Sequence, residues 1–242
     1  MIIIGNGRLI TRNAAEPYYE NGAVVTENEL IKETGTTAEM RLKYPDAEFV
    51  DAKGGVIMPA FINAHTHIYS ALARGLSIAG YNPTNFYEVL DGMWWKIDRS
   101  LTLEDTRRSA YTTIIDCIKT GCTTIFDHHA SFCQIEGSLF AIADAARALG
   151  IRACLCYEVS ERDGKKKCDE SIEENKSFID HCERENDPML KAMFGGHALF
   201  TIGDKTFEKC VKANGGRTGF HIHVCEGMND VYDSMKNYGC RS

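Results

Sequence analysis

The fold of this chain is decided by the stretch VIMPAFINAHTH, residues 56–67. Residues 56–64 form a near-continuous apolar run, which is typical of a β-strand buried on both faces. His65 and His67 follow at the end of this predicted strand. Because residues i and i+2 of a strand point to the same face, both imidazoles can converge on one point. Two neutral imidazoles at a strand end predict half of a site for Zn²⁺ or Fe²⁺. The alternative is a strand that merely ends in polar residues.

After residue 67 the chain alternates between predicted helices and predicted strands. Thr102 and Asp105 form a helix-start pattern, and Gly121 ends that helix. Further strands are predicted at residues 122–126, 151–157, 190–194 and 218–224, with helices at residues 139–149, 169–185 and 205–213. This alternation indicates an α/β fold with a parallel sheet and helical crossovers. Five strands are too few to close the usual eight-stranded (β/α)8 TIM-type barrel, so the sheet is either open or part of such a barrel.

The first 55 residues have a different pattern from the rest of the chain. Brief apolar or alternating runs separated by glycines predict short strands and turns. We therefore expect a small β-rich module at residues 1–55, followed by an incomplete barrel at residues 56–242.

Composition excludes several classes of protein. The 242 residues carry a net charge of −7 at pH 7, which argues against a protein that binds nucleic acid through phosphates. No apolar run approaches the roughly 20 residues of a membrane span. The N-terminus has no basic segment followed by a long apolar one, so we expect no signal peptide. The ten cysteines contain no C-x-x-C pair, and we expect reduced thiols in a soluble, cytoplasmic protein.

A second H-x-H pair, His221 and His223, ends the last predicted strand. Glu226 follows His223 by three residues, where a carboxylate can reach a metal-activated water without binding the metal itself. That position suits a general acid and base. The alternative is a carboxylate that stabilises a helix start. Spacing alone leaves open whether His221 or His223 is the metal ligand.

Taken together, these motifs resemble the amidohydrolase superfamily of metal-dependent hydrolases. PAFINAHTH at residues 59–67 is similar to its first-strand signature, and HVCE at residues 223–226 resembles its fifth-strand H-x-x-E. TTIFDHH at residues 123–129 and GGH at residues 195–197 lie where its second and fourth strands end. The resemblance is closest to the branch of guanine and 8-oxoguanine deaminases and triazine hydrolases, within it to the SsnA group of aminohydrolases.

The resemblance implies a distorted (β/α)8 barrel with one metal ion, Zn²⁺ or alternatively Fe²⁺. Its metal ligands would be His65, His67 and His223, and Glu226 would be the catalytic proton shuttle. The substrate-binding residues that it suggests are His197, Arg74 and His129. Binuclear relatives carry a bridging lysine at the end of strand four, where this chain has glycines before His197, so a single metal ion is favoured.

The implied reaction is hydrolytic deamination of an N-heterocycle such as a purine or pterin. Relatives carry a further ligand histidine on strand six and an aspartate on strand eight, and neither is found after Glu226. We therefore expect an N-terminal portion that is inactive alone, whose β module is completed by C-terminal strands. The longer protein would act on a small molecule, without nucleic acid or membrane, and is a candidate homodimer. The alternatives are another C–N or C–X hydrolysis, a non-catalytic remnant and a metal-binding module.

Overall fold

The computed structural model describes residues 1–241, and the chain divides into two compact units, Met1–Ala60 and Phe61–Ser242. The first unit is a five-stranded sheet with one helix. Its elements are β1 (Ile2–Ile10), β2 (Tyr18–Glu27), β3 (Leu30–Thr36), α1 (Thr37–Lys43), β4 (Glu48–Asp51) and β5 (Val56–Ile57). The strand order is β3-β2-β1-β4, with β5 also paired to β1. Ile3, Ala23, Val25 and Met40 form its small core. That further C-terminal strands complete this sheet stays a prediction.

The second unit repeats strand and helix. Its strands are β6 (Phe61–Thr66), β7 (Cys122–His129), β8 (Arg152–Tyr157), β9 (Leu190–Ala192), β10 (Phe194–Ala198) and β11 (Phe220–His223). Its helices are α2 (Phe86–Val89), α3 (Trp95–Asp98), α4 (Leu103–Lys119), α5 (Ser138–Leu149), α6 (Gly164–Glu185), α7 (Asp204–Asn214) and α8 (Met228–Tyr238). Strands β6-β7-β8-β9 form one parallel sheet, and β10-β11 form a parallel pair. The predicted α/β class with helical crossovers is confirmed.

The prediction of one long apolar strand at residues 56–64 is wrong, because this stretch forms two separate strands. β5 pairs with β1 in the first unit, and β6 begins the second unit after Pro59. Proline has no amide hydrogen to donate to a sheet, so it interrupts the run. β6 is also not buried on both faces. It lies at the edge of its sheet within the described residues, and Phe61 and Ile62 are 55% and 61% exposed.

Helix α4 begins where its sequence predicts. The Thr102 side chain accepts from the backbone of Asp105, and the Asp105 carboxylate accepts from the backbone of Thr102. This reciprocal cap satisfies amides that a helix start leaves unpaired. Ala110 and Ile114 on one face of the helix are buried against the sheet, as the spacing indicates. Within residues 1–241, no helix is long and apolar enough to cross a membrane.

Gly195 allows β10 to pass close to β8. A Cβ atom at Gly195 would collide with the backbone carbonyl of Tyr157, whereas one at Gly196 would meet only the ends of the Ile202 and Ile222 side chains, each at 3.2 Å. The close approach places His197 beside the end of β8, where the backbone amide of His197 donates to the carbonyl of Val159 at 3.0 Å. The glycines before His197 therefore help to position it.

We expect Gly195→Ala to lower the free energy of unfolding by about 1–3 kcal/mol, because a backbone carbonyl cannot yield as a side chain can. For a chain of this size that corresponds to a fall in Tm of roughly 2–12 °C. Thermal melting monitored by circular dichroism measures it. Gly196→Ala is the matched control, with a smaller fall expected. Equal melting temperatures for the two variants would contradict the packing argument.

Candidate active site

Three histidines come together at the carboxyl ends of two strands. His65 and His67 lie at the end of β6, and His223 is the last residue of β11. One ring nitrogen from each of the three lies within 4.8 Å of the others. Three imidazole nitrogens at this spacing can converge on one ion, as in sites that keep an open position for water or substrate. The structure thus brings together the residues proposed from sequence as metal ligands.

Backbone carbonyls fix the tautomers of two of these histidines. His67 Nδ1 donates to the carbonyl of His128 at 2.7 Å, and His223 Nδ1 donates to the carbonyl of His197 at 3.1 Å. Each ring therefore keeps its Nε2 lone pair for another partner, which is how metal-binding histidines are oriented in proteins. His223 Nε2 is buried and has no hydrogen-bond partner within residues 1–241. The donor set fits a divalent metal ion.

Burial keeps these imidazoles neutral. It lowers the pKa of His67, and it lowers the pKa of His223 to about 4, with the neighbouring histidines adding to the effect on His223. A neutral imidazole is the form that binds a metal. At neutral pH both rings are therefore ready to act as ligands without first losing a proton.

His221 has a different neighbour from His223. Its Nε2 lies 2.8 Å from His65 Nδ1, so the two rings share a hydrogen bond. It is not a member of the three-histidine cluster. Of these two histidines, only His223 has a ring nitrogen in the three-histidine cluster, whereas His221 lies beside His65 and can orient its ring.

A cavity of about 170 Å³ lies beside the cluster. Its ionisable lining residues are His67, Glu158, His197, His223 and Glu226. Its aromatic and aliphatic lining residues are Tyr69, Phe86, Leu90, Trp94 and Trp95. Of the aromatic residues near α2 and α3, Tyr87 does not line the cavity but packs edge-on against Trp95, with ring centroids 5.4 Å apart. The cavity offers a planar ring both apolar surfaces and ionisable groups.

Glu226 borders this cavity just before α8. Its backbone amide donates to Asp230 Oδ2 at 3.0 Å, which fixes the turn. Although the residue as a whole is exposed, desolvation of its carboxyl, followed by Asp230 and Glu158, raises its pKa. A carboxyl whose pKa is raised towards neutrality is a better proton donor at neutral pH than an ordinary one. Position and pKa both fit an acid and base.

The three substrate-binding candidates lie in different places. His197 lines the cavity, and its Nδ1 bonds to Thr201 Oγ1 at 2.7 Å. Arg74 is paired with Asp116 at 2.9 Å, where both side chains are largely exposed, and it is not among the cavity residues. His129 is fully buried, with Nε2 bonded to Ser131 Oγ at 3.0 Å, and it does not line the cavity. The structure brings only His197 to the cavity.

His128, rather than His129, lies against the histidine cluster. Its ring centroid is 4.4 Å from that of His223 and 5.5 Å from that of His67. Its Nε2 donates to the carbonyl of Gly196 at 3.0 Å. Neighbouring residues of a strand point to opposite faces, so only one of the two can face the site.

Glu158 is a cavity residue that the motifs did not reveal. It follows the last residue of β8 and is 4% exposed. Burial alone would raise the pKa of its carboxyl, but His197 and Arg162 outweigh burial and lower that pKa. The signal that could have found it is its position, since it comes directly after a predicted strand, as His65 does.

Comparisons with known proteins agree with this architecture. Residues 56–242 match the model of the amidohydrolase family. The chain belongs to the amidohydrolase family. A second model, an imidazolonepropionase-like composite domain of bacteria, matches residues 22–47. The membership confirms the resemblance stated from the motifs.

One relative of this chain is a 5′-deoxyadenosine deaminase of Methanosarcina barkeri. The two sequences are 29% identical over 98% of this chain and 52% of the relative. A 5-methylthioadenosine/S-adenosylhomocysteine deaminase of Syntrophomonas wolfei is 28% identical, over 98% of this chain and 52% of the relative. The chain thus spans about half the length of the curated relatives it matches. An atrazine chlorohydrolase of Arthrobacter aurescens, solved with zinc and atraton, has the same fold. The comparison of the two structures gives a TM-score of 0.80 at 20% sequence identity, and it covers 100% of this chain and 56% of the chlorohydrolase chain.

Proposed function

We propose that the protein carrying this sequence is a metal-dependent hydrolase that removes an amino group from an N-heterocycle. The observation that carries this proposal is the convergence of His65, His67 and His223 beside a cavity that Glu226 borders. Nitrogen ligands next to a carboxyl with a raised pKa are the parts that metal-assisted hydrolysis needs. Membership of the amidohydrolase family supports the same reaction class.

The metal that we propose is a single zinc ion, held by the three histidines. Three neutral imidazoles are ligands that Zn²⁺ favours, although Fe²⁺ accepts them too. Zinc is bound in the chlorohydrolase that shares the fold. When bound, such an ion supplies Lewis acidity and activates water for hydrolysis. Lys191, in β9, is exposed and outside the cluster, which favours one ion over a bridged pair.

The chain's own residues perform binding and proton transfer. Trp94, Trp95 and Phe86 offer faces and edges on which a heterocycle can stack. His197 lines the cavity, and with Nδ1 bonded to Thr201 Oγ1 its Nε2 can form a hydrogen bond with the substrate. Glu226 donates a proton to the ring nitrogen as the neighbouring carbon becomes tetrahedral. Its carboxylate then takes up a proton released by the attacking water and passes it to the amine, which leaves as ammonia.

An amino-purine is the substrate class that we favour, with adenosine-type compounds first. The support is the pair of relatives, whose names are 5′-deoxyadenosine deaminase and 5-methylthioadenosine/S-adenosylhomocysteine deaminase. The test is ammonia release from adenosine, 5′-deoxyadenosine, guanine and pterin by the whole zinc-loaded protein that carries this sequence, and not by residues 1–242 alone. Turnover of at least one that is abolished by chelation supports the proposal. No ammonia from any of the four would contradict it.

We further propose that residues 1–242 on their own hydrolyse these substrates poorly. The described cluster contains three histidines and no carboxylate, so Glu226, which also serves as the proton donor, has no separate partner in the cluster that takes the proton of the attacking water. The expected result is turnover at least about a hundredfold below that of a whole relative, given the usual worth of a general base. Ammonia release with purified, zinc-loaded 242-residue chain measures it. Turnover equal to that of the 5′-deoxyadenosine deaminase would refute it.

A further inference from the structure

Glu158 presents one carboxylate oxygen that the protein leaves without a partner. Its Oε1 accepts a hydrogen bond from Arg162 Nη2 at 3.1 Å. Its Oε2 approaches His128 Nδ1 at 3.9 Å, which is too long for a hydrogen bond, and it has no hydrogen-bond partner within residues 1–241. Because Glu158 lines the cavity, this oxygen is open to a donor on a ligand, and a charged carboxylate oxygen is a strong hydrogen-bond acceptor.

Arg162 holds this carboxylate in place and keeps it charged. Its guanidinium also pairs with Asp98, and with Asp163 at 3.0 Å. The same group lies over the rings of Phe132 and Trp95, at 4.0 Å and 5.1 Å from their centroids. The Arg162 and Asp98 side chains are 5% and 1% exposed. Glu158 is therefore part of a rigid buried network whose free end borders the cavity.

The charges around the cavity define what it can accept. Glu158 and Glu226 are its carboxylates, and no lysine or arginine is among its described lining residues. An anionic substituent placed against Glu158 would meet a like charge in a poorly solvated space. An uncharged group with an N–H or O–H donor would find an acceptor there.

We propose that Glu158 is a specificity-determining residue whose Oε2 accepts a hydrogen bond from an N–H or O–H donor on an uncharged substrate. This inference rests on the proposed function, since it concerns the substrate of the same cavity. The donor can come from an amino group on the heterocycle or from a hydroxyl of an attached sugar. Both sources would use the same acceptor, Glu158 Oε2. Paired substrates that differ in one kind of donor are therefore needed to tell the two sources apart.

The test compares paired substrates in the zinc-loaded protein and in Glu158→Gln. One pair is adenosine and 2′,3′-dideoxyadenosine, which differ in O–H donors. The other is 2,6-diaminopurine and adenine, which differ in an N–H donor. We expect Glu158→Gln to lower kcat/KM by about tenfold to a hundredfold for the donor-bearing member of one pair, with little change for its partner. The pair that responds identifies the source of the donor.

Asp98→Asn is the matched control. It removes the charge of another carboxylate paired with Arg162 without altering a cavity residue, so we expect both members of each pair to change equally. If Glu158 only anchors Arg162, Glu158→Gln will behave in the same way. A loss at least fivefold larger for the donor-bearing member of either pair supports the proposal, and a smaller difference in both pairs overturns it.

Two further measurements separate other kinds of failure. If Glu158→Gln does not fold, as judged by thermal melting, Glu158→Asp keeps the charge for Arg162 while withdrawing the oxygen, and the same fivefold criterion applies. If the protein deaminates none of these compounds and none of 5′-deoxyadenosine, guanine and pterin, the proposed function fails, and calorimetric binding of the same pairs still tests Glu158 by the same criterion. Failure of all four to bind would overturn the specificity proposal as well.

Discussion

Replacing Glu226 by glutamine is expected to lower kcat for deamination by about 10²- to 10⁴-fold while leaving zinc content and KM nearly unchanged. Glutamine retains the shape of the side chain but cannot transfer a proton. Glu226 borders the cavity and lies outside the three-histidine cluster, so the change should affect proton transfer and not metal binding. Steady-state kinetics and zinc analysis by mass spectrometry measure both effects.

The leaving group provides a sharper readout for Glu226. Chloride leaves 6-chloropurine riboside without needing a proton, whereas an amine leaves adenosine only after protonation. We therefore expect Glu226→Gln to impair the chloride substrate less than the amine substrate. Glu208→Gln, on the exposed face of α7, is the control and should match the unaltered protein. A loss below tenfold, or equal losses on both substrates, would show that Glu226 is not the proton donor.

The parts of the site that lie on strand ends could be predicted from sequence, because strand geometry is nearly invariant. Residues i and i+2 share a face, so the two imidazoles of each H-x-H pair were expected to converge, and the resemblance to the family implied that His65, His67 and His223 bind one ion. Arg74 had no such constraint. It follows the short helical turn Ile68–Ala73, and the direction of that turn is set by packing, not by a local pattern. The turn leaves Arg74 beside Asp116 on α4.

Two other features depend on interactions that no local pattern encodes. Adjacent histidines on β7 must face opposite ways, but register decides which one faces the cluster, and β7 pairs His128 with Cys156 and His129 with Tyr157. Glu158 becomes a cavity residue because Arg162, four residues later, folds back over Trp95 and Phe132 to pair with it. A lone glutamate after a strand carries no signal of that partner.

Replacing His223 by alanine is expected to abolish stable metal binding, with zinc falling from about one equivalent to near zero after dialysis and deamination falling to background. Three nitrogen ligands hold the proposed ion, and the loss of one removes a bond that the remaining two cannot replace. The buried His223 Nε2, which has no partner within residues 1–241, is the atom that the substitution removes. Zinc analysis and ammonia release on the same sample measure the result.

His221→Ala is the matched comparison, since it alters the neighbouring histidine of the same strand. His221 contacts His65 Nδ1 and not the cluster, so we expect zinc affinity to fall by about 10- to 100-fold, as for other partners that orient a ligand. Excess zinc should therefore restore activity to His221→Ala but not to His223→Ala. His181→Ala, on α6 beside Arg184, should bind zinc normally. If His221→Ala loses the metal and His223→Ala keeps it, the two histidines have exchanged the roles assigned here, and the ligand set is His65, His67 and His221.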